Sequence, residues 1–409
     1  MKIAFVLLPY GPDEPAGIER SVAALAAGLR ARGHRAIIIA AGPPTSADDA
    51  DLVRLDTIEL PRPMLFDDLP RLLTSPAALC GEVERILVEH DIDLVCWTDA
   101  VAGLGYLAPA PAGVRTVLMA HLIRADASIH ESLAHKPDAV LAVSPFVIEE
   151  HARVGVDTRG WQVLPNPLPR RGTPPSRQIR EWLRLNGPIR TLTRADPVKG
   201  MSGLLRSLPP DLGRPVQIAL ADAAFELWDG MQQAVRDECL AIAEERPEVE
   251  ILPAMPWDEA QGFLAGAALA MVPSVWPETF GNVAAEALSV GTPVAGFQLG
   301  NLPVLVGGAG CLVELDRSNE VQHIGGVTDS TAEPPGAPEA FTRLWSAATN
   351  LLADHDAYHA ASDLARDQVQ LYEPALVADI FLSVIGTGHP DRRVPIRTPH
   401  GGPHDTEEH

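Results

Sequence analysis

Pro-Ser-Val-Trp-Pro-Glu-Thr-Phe-Gly-Asn-Val-Ala-Ala-Glu-Ala-Leu-Ser-Val-Gly-Thr-Pro-Val, residues 273–294, reads as a strand end, a loop, a short helix and the start of a new strand. Pro277 and Gly281 punctuate the loop, Gly291 supplies a C-terminal stop and Pro293 cannot continue a helix, so a helix is predicted from Phe280 to Val290. Glu278 then lies on the loop and Glu286 inside the helix. The free backbone N–H groups of Phe280, Gly281 and Asn282 point out of the helix start, where the dipole favours an anion such as a diphosphate. Glu286 can accept from a vicinal diol beside that anion, and Glu278 from hydroxyls on its far side. The constellation suits a nucleotide sugar.

Outward from this stretch the chain alternates apolar runs with helical patterns. Lys2 to Leu8 reads as a buried strand, Pro9 to Gly17 as a loop, and Ile18, Val22, Leu25 and Leu29 fall at helical spacing before the strand Ala36 to Ala41. This is a βαβ unit with parallel strands. Further strands are expected at Leu94 to Trp97, Val117 to Ala120, Val140 to Val143 and Trp161 to Leu164. After the proline-rich segment Pro165 to Pro175 the pattern restarts, with strands near Ile189 to Leu192, Val216 to Leu220, Val249 to Leu252, Leu269 to Val272 and Val294 to Phe297. Two doubly wound α/β domains follow, whose ligands bind at the carboxyl ends of the strands and so face a shared cleft. The expected boundaries are 1–170, 171–365, a C-terminal helix over 366–386 returning to the first domain, and a tail from 387 to 409 too poor in apolar residues to order. Residues 316–338 read as a long exposed loop.

A chain of 409 residues is long enough for two such cores. Its 54 acidic and 32 basic residues give a formal net charge of −22, which argues against nucleic acid and against anionic lipid as partners. A cationic small-molecule acceptor is permitted. The first apolar run is followed at once by Pro9, Gly11 and Asp13-Glu14, unlike a signal peptide, and no run approaches the ~20 apolar residues of a membrane span. Cys80, Cys96, Cys239 and Cys311 lack metal-type spacing and read as reduced core thiols of a cytosolic protein. A monomer or a homodimer is expected.

Glu278 and Glu286, with seven residues between them and set in Pro-Ser…Pro-Glu-Thr-Phe-Gly…Glu-Ala…Gly-Thr-Pro-Val, resemble the signature of glycosyltransferase family 4, retaining enzymes of the GT-B fold. The resemblance implies that Glu286 holds the ribose hydroxyls, Glu278 the donor-sugar hydroxyls, and the amides from Phe280 to Asn282 the donor. Thr193-Arg194-Ala195-Asp196-Pro197-Val198-Lys199-Gly200 is similar to the family's Gly-Arg-Leu…Lys-Gly element, whose cations stabilise the leaving diphosphate; Thr193 stands where the family has Gly and Ala195 where it has Leu. Ala16-Gly17-Ile18-Glu19-Arg20 resembles the family's Gly-Gly-x-Glu-Arg loop, with Ala16 in place of one Gly. His121 ends a strand where the family commonly has a donor-sugar histidine. Ser144 and Leu164-Pro165-Asn166-Pro167 resemble the pair at the domain junction, and Gly300-Asn301-Leu302-Pro303-Val304 the Gly-Gly-x-Pro-Glu segment, without its second Gly and its Glu.

These matches imply a metal-independent hexosyltransferase that needs no cofactor. Its donor would be a nucleoside diphosphate sugar, with uridine the commonest family choice. Asp13, Glu14 and Asp99, near strand ends of the first half, are the candidate acceptor-binding residues, for an amino-bearing sugar or cyclitol of specialised metabolism. A sugar-nucleotide epimerase of the same fold and a non-catalytic nucleotide-sugar binder remain open. Gly307-Gly308-Ala309-Gly310 lacks a following Lys-Ser/Thr and reads as a turn. Asp91/Asp93 and Asp49/Asp51 lie away from the cleft, so no metal site is expected.

Overall fold

The computed structural model describes residues 1–11, 16–42, 44–45, 48–65, 68, 72, 76–98, 111–125, 127–169, 172–315 and 337–386. Its first half forms a seven-stranded parallel sheet from β1 (Lys2–Pro9), β2 (Arg35–Ala41), β3 (Leu52–Arg54), β5 (Leu94–Thr98), β6 (Arg115–Ala120), β7 (Ala139–Ala142) and β8 (Gln162–Val163), in the order β3-β2-β1-β5-β6-β7-β8. Ile3 pairs with Ala36 and with Leu94, so the first strand lies mid-sheet. Every residue from Ile3 to Leu8 is inaccessible to solvent. Helices cover both faces of such a strand, which is why it reads as an unbroken apolar run.

The second half repeats the plan. β9 (Ile189–Arg194), β10 (Val216–Ala221), β12 (Val249–Leu252), β13 (Leu269–Val272), β14 (Val294–Phe297) and β15 (Gly310–Val313) form a six-stranded sheet in the order β12-β10-β9-β13-β14-β15. Both orders are those of a doubly wound Rossmann-like sheet, which reverses direction between its first and fourth strands. The fold is two Rossmann-like α/β units, as expected. Gly310, read from sequence as part of a turn, opens β15: it pairs with Val294, and a Cβ there would lie 1.9 Å from the Val294 carbonyl oxygen.

A strand pairing and a returning helix are among the contacts that tie the halves together. β4 (Met64–Leu65) of the first half pairs in parallel with β11 (Phe225–Glu226) of the second. The last helix, Pro374–Val384, packs back on the first helix, Gly17–Ala31, and sets Phe381 against Phe5 with ring centroids 6.3 Å apart. Arg32 closes the outer edge of this contact through two hydrogen bonds to Asp379.

Phe381 is wholly buried among Phe5, Val377 and Ala378. Phe381→Ala should therefore destabilise the chain by about 3–5 kcal/mol, transfer and cavity contributions together. Equilibrium denaturant unfolding checks this, and a change under about 1 kcal/mol would mean that the helix is not part of the first core.

Candidate functional site

Neighbouring strands β9 and β13 lie at the reversal point of the second sheet, so the loops after them diverge and leave a crevice between them. β9 ends on Arg194, and the loop behind it tightens into a single 3-10 turn, Pro197–Lys199. Asp196 caps that turn by accepting from the Val198 amide at 3.1 Å, which points Lys199 across the crevice. The loop after β13 brings Glu278 to meet it. Lys199 Nζ donates to Glu278 Oε1 at 2.6 Å, and Ser274 Oγ donates to the same oxygen at 2.5 Å.

Arg194 completes the group. Its guanidinium lies 5.3 Å from the Phe225 ring centroid and its Nη2 donates to Asp196 Oδ2 at 3.2 Å. Burial by itself would push the Glu278 carboxyl up; the Lys199 charge, the hydrogen bonds from Lys199 and Ser274, and the more distant Arg194 outweigh it and hold the group below its ordinary value. The backbone beneath is braced from Gly300-Asn301. The Asn301 amide donates to the Glu278 carbonyl at 2.8 Å, and Asn301 Nδ2 to the Phe280 carbonyl at 3.0 Å. Asn301 thus fixes the loop by side-chain and main-chain hydrogen bonds, although this segment departs from the family pattern.

The helix behind this loop spans Asn282–Ser289, two residues shorter at its start than the predicted one. Gly281 is the reason: it caps the helix at φ +96°, a left-handed conformation that side chains resist, so Phe280 remains in the loop. Its ring is buried against Tyr372, centroids 5.3 Å apart. The helix tip faces the first unit closely. A Cβ on Gly17 would stand 2.4 Å from Asn282 Nδ2, Asn166 Nδ2 donates to Asn282 Oδ1 at 3.1 Å, and Ser144 Oγ donates to the Thr279 carbonyl at 2.5 Å.

Glu286 projects from the same helix and is almost wholly buried. One of its oxygens accepts from Arg20 Nη2, which reaches over from the first helix; the other, Oε2, is buried with no donor. The Arg20 guanidinium lies 5.8 Å from the Trp257 ring centroid, and burial lowers it to about 10. Arg20 and Glu286 were each legible as motif residues, but their pairing, across 266 positions, was not. Ser274, Phe225 and Trp257 also join the site without having been singled out; Ser274 sits inside the motif stretch 273–294, whereas nothing local marks the other two.

His121 follows β6 directly and is buried; desolvation pulls its imidazole down to about 3, so the ring is neutral near pH 7. Asp13, Glu14 and Asp99 lie outside the described residues. The remaining acidic pairs are ordinary surface contacts: Asp91 binds Lys2 Nζ at 2.7 Å, Asp93 accepts from the Lys2 amide, and Asp51 pairs with Arg30.

Two outcomes follow from the buried charges. Breaking the Arg20–Glu286 pair by Arg20→Ala should cost roughly 3–5 kcal/mol, because Glu286 is left charged and unpaired, and Arg20→Ala with Glu286→Ala together should cost less than the sum of the two singles. Strict additivity in urea unfolding would show that the two side chains do not interact. For Glu278 the folded value lies below the ordinary one, so its contribution is complete above the ordinary carboxylate range and is lost as pH falls through the depressed value. The stability advantage of the wild type over Glu278→Gln should be level near neutrality and shrink in acid; a flat profile across that range would refute it.

Comparison with known proteins agrees with this architecture. The family model described as Glycosyltransferase Family 4 matches residues 15–171, and that described as Glycosyl transferases group 1 matches residues 190–324. No curated protein matches the chain significantly. Among solved structures, sucrose-phosphate synthase from Thermosynechococcus elongatus superposes with a TM-score of 0.68 at 18% identity, over 95% of this chain and 100% of that one. Anabaena HepE in complex with UDP-glucose gives 0.63 at 16% identity, over 95% and 100%. A glycosyltransferase involved in avilamycin A biosynthesis gives 0.56 at 20% identity, over 94% and 96%. With these two domains in this order on this fold, the chain is a glycosyltransferase of the GT-B type.

Proposed function

We propose that the chain is a retaining, metal-independent hexosyltransferase of glycosyltransferase family 4. It moves a hexose or N-acetylhexosamine from a nucleoside diphosphate sugar, UDP-linked by preference, to a soluble amino-bearing sugar or cyclitol. The observation that carries this reading is the meeting of Lys199, Ser274 and Glu278, with Arg194 alongside, at the reversal point of the second sheet. Cations at that point suit a diphosphate, and a carboxylate held ionised beside them suits sugar hydroxyls. The buried Glu286 Oε2, which has no donor, suits a ribose hydroxyl. HepE, similar in fold, has been solved with UDP and glucose and with UDP-glucose.

The proposed step breaks the bond between the anomeric carbon and the diphosphate oxygen and forms one from that carbon to the acceptor oxygen on the same face. The acceptor proton passes to the leaving phosphate oxygen. Arg194, Lys199 and the helix start at Gly281 and Asn282 stabilise the charge that develops on the diphosphate, and Glu278 orients the sugar. Neutral His121 is the candidate hydrogen-bonding partner of the donor sugar, and Gly17 lets the first unit approach the donor. Lys199 and Glu278 satisfy each other; a bound donor would exchange that contact for one to phosphate and one to hydroxyls. The domain division is proposed at residue 170, with the segment 366–386 belonging to the first unit. The acceptor class rests on the net charge of −22. Among the described residues no helix is long and apolar enough to cross a membrane.

Arg194→Ala and Lys199→Ala should each lower kcat by roughly 10²–10³-fold, the range for removing one donor to transition-state charge. Glu278→Gln should abolish measurable transfer. NMR of the product should show the donor's anomeric configuration kept, and an inverted anomer would overturn the retaining mechanism. A saturating donor, at about 100 times its dissociation constant, should add roughly 2.7 kcal/mol of stability to the wild type, which selects the base and sugar from a panel.

A further inference from the structure

Among the described residues, one group of three side chains brings metal-ligating atoms together, and it lies outside the site described above. Glu181 belongs to the helix Arg177–Asn186, and His355 and His359 to the helix His355–Gln368; one ligand atom of each lies within 4.8 Å of the others. We propose that Glu181, His355 and His359 bind a divalent transition-metal ion of the zinc class that staples these two helices.

The geometry favours such an ion. His355 and His359 are four residues apart on a helix, so their rings share a face, with centroids 4.7 Å apart. His359 is buried, and its Nε2 lies 2.8 Å from Glu181 Oε2. A tetrahedral centre with bonds of ~2.0–2.2 Å sets its ligand atoms ~3.3–3.5 Å apart, so the His359–Glu181 contact must open by only ~0.5 Å. His355, about half exposed on the first turn of its helix, closes the remaining distance by side-chain rotation. Arg184 donates to both Glu181 oxygens at 2.8 Å, which orients the carboxylate and limits the affinity by its own charge. Two imidazoles and one carboxylate, with a fourth position for water, suit zinc and not the oxygen-ligated magnesium or calcium.

The location gives the ion a role. The helix Arg177–Asn186 is the first that the chain forms after entering the second unit, and His355–Gln368 the last long one before it returns to the first. The solvent-exposed ion pair Arg177–Asp363 already bridges them at 3.0 Å. The second helix also packs behind Asn282–Ser289, and Ser362 Oγ donates to the Gly291 carbonyl at 2.7 Å. A metal would therefore lock the two chain crossings together, and stability rather than the transfer chemistry would report it.

The test uses the full chain, stripped with EDTA and titrated with zinc, cobalt or magnesium chloride. Zinc is expected to raise the Tm, cobalt to give the visible absorption of a tetrahedral centre, and magnesium to do neither. His355→Ala alters an exposed side chain, so the fold persists; it should weaken zinc binding in calorimetry at least tenfold and remove the cobalt band. No zinc-dependent shift in the wild type would overturn the proposal. So would zinc affinity and a cobalt band unchanged in His355→Ala, which would assign the ion to other histidines.

Discussion

A carboxylate taken out of water at the carboxyl end of a sheet must find a cation, and the Glu278–Lys199 pair meets that demand at the one place where the second sheet changes direction. The pairing requires β9 and β13 to be neighbours, the Pro197–Lys199 turn to close tightly, and the Glu278 backbone to be braced by Asn301. Each is a property of second-unit residues, so the cationic side of the crevice forms within a single unit. Arg194 adds a second cation from the end of β9 itself.

The other side of the crevice is a seam. Arg20 meets Glu286, Asn166 meets Asn282, and Ser144 meets Thr279, in each case a first-unit side chain against the loop or helix that carries the second-unit site. An apolar layer lies behind these contacts, with Ala142, Val143 and Val147 of one unit packed with Phe280, Ala284 and Leu288 of the other. Small residues dominate it. Gly17 belongs to the same design, since any side chain there would strike Asn282. The polar contacts of the seam converge on the residues proposed to hold the nucleotide, so opening and closing of the units would act on the donor directly.

What was legible in the sequence follows from how local the physics is. Parallel strands covered on both faces leave apolar runs that punctuating glycines and prolines delimit, and the sheet strands Lys2–Pro9, Leu94–Thr98, Val216–Ala221 and Leu269–Val272 were all visible this way. Lys199 and Glu278 were legible as separate site residues through the motifs around them. Their hydrogen bond was not, because it spans 79 positions. The pairing of β4 with β11 joins dipeptides that carry no strand signal, and Arg20 is set against Glu286 only once both units are folded. The helix start slipped by two residues because Gly281 can serve either as a helical residue or as a left-handed cap, and here it is the cap, at a point where Leu302 and Leu305 leave no room for a Cβ.

The return of the last helix to the first also sets an order of events during synthesis. Phe5, Val22, Leu25 and Leu29 emerge from the ribosome early, but part of their cover is Val377 and Phe381, which follow the whole of the second sheet. N-terminal domains generally fold as soon as they emerge. Here the second unit can complete its own sheet while the nascent first unit still exposes an oily strip, which stays uncovered until the helix Pro374–Val384 has been made.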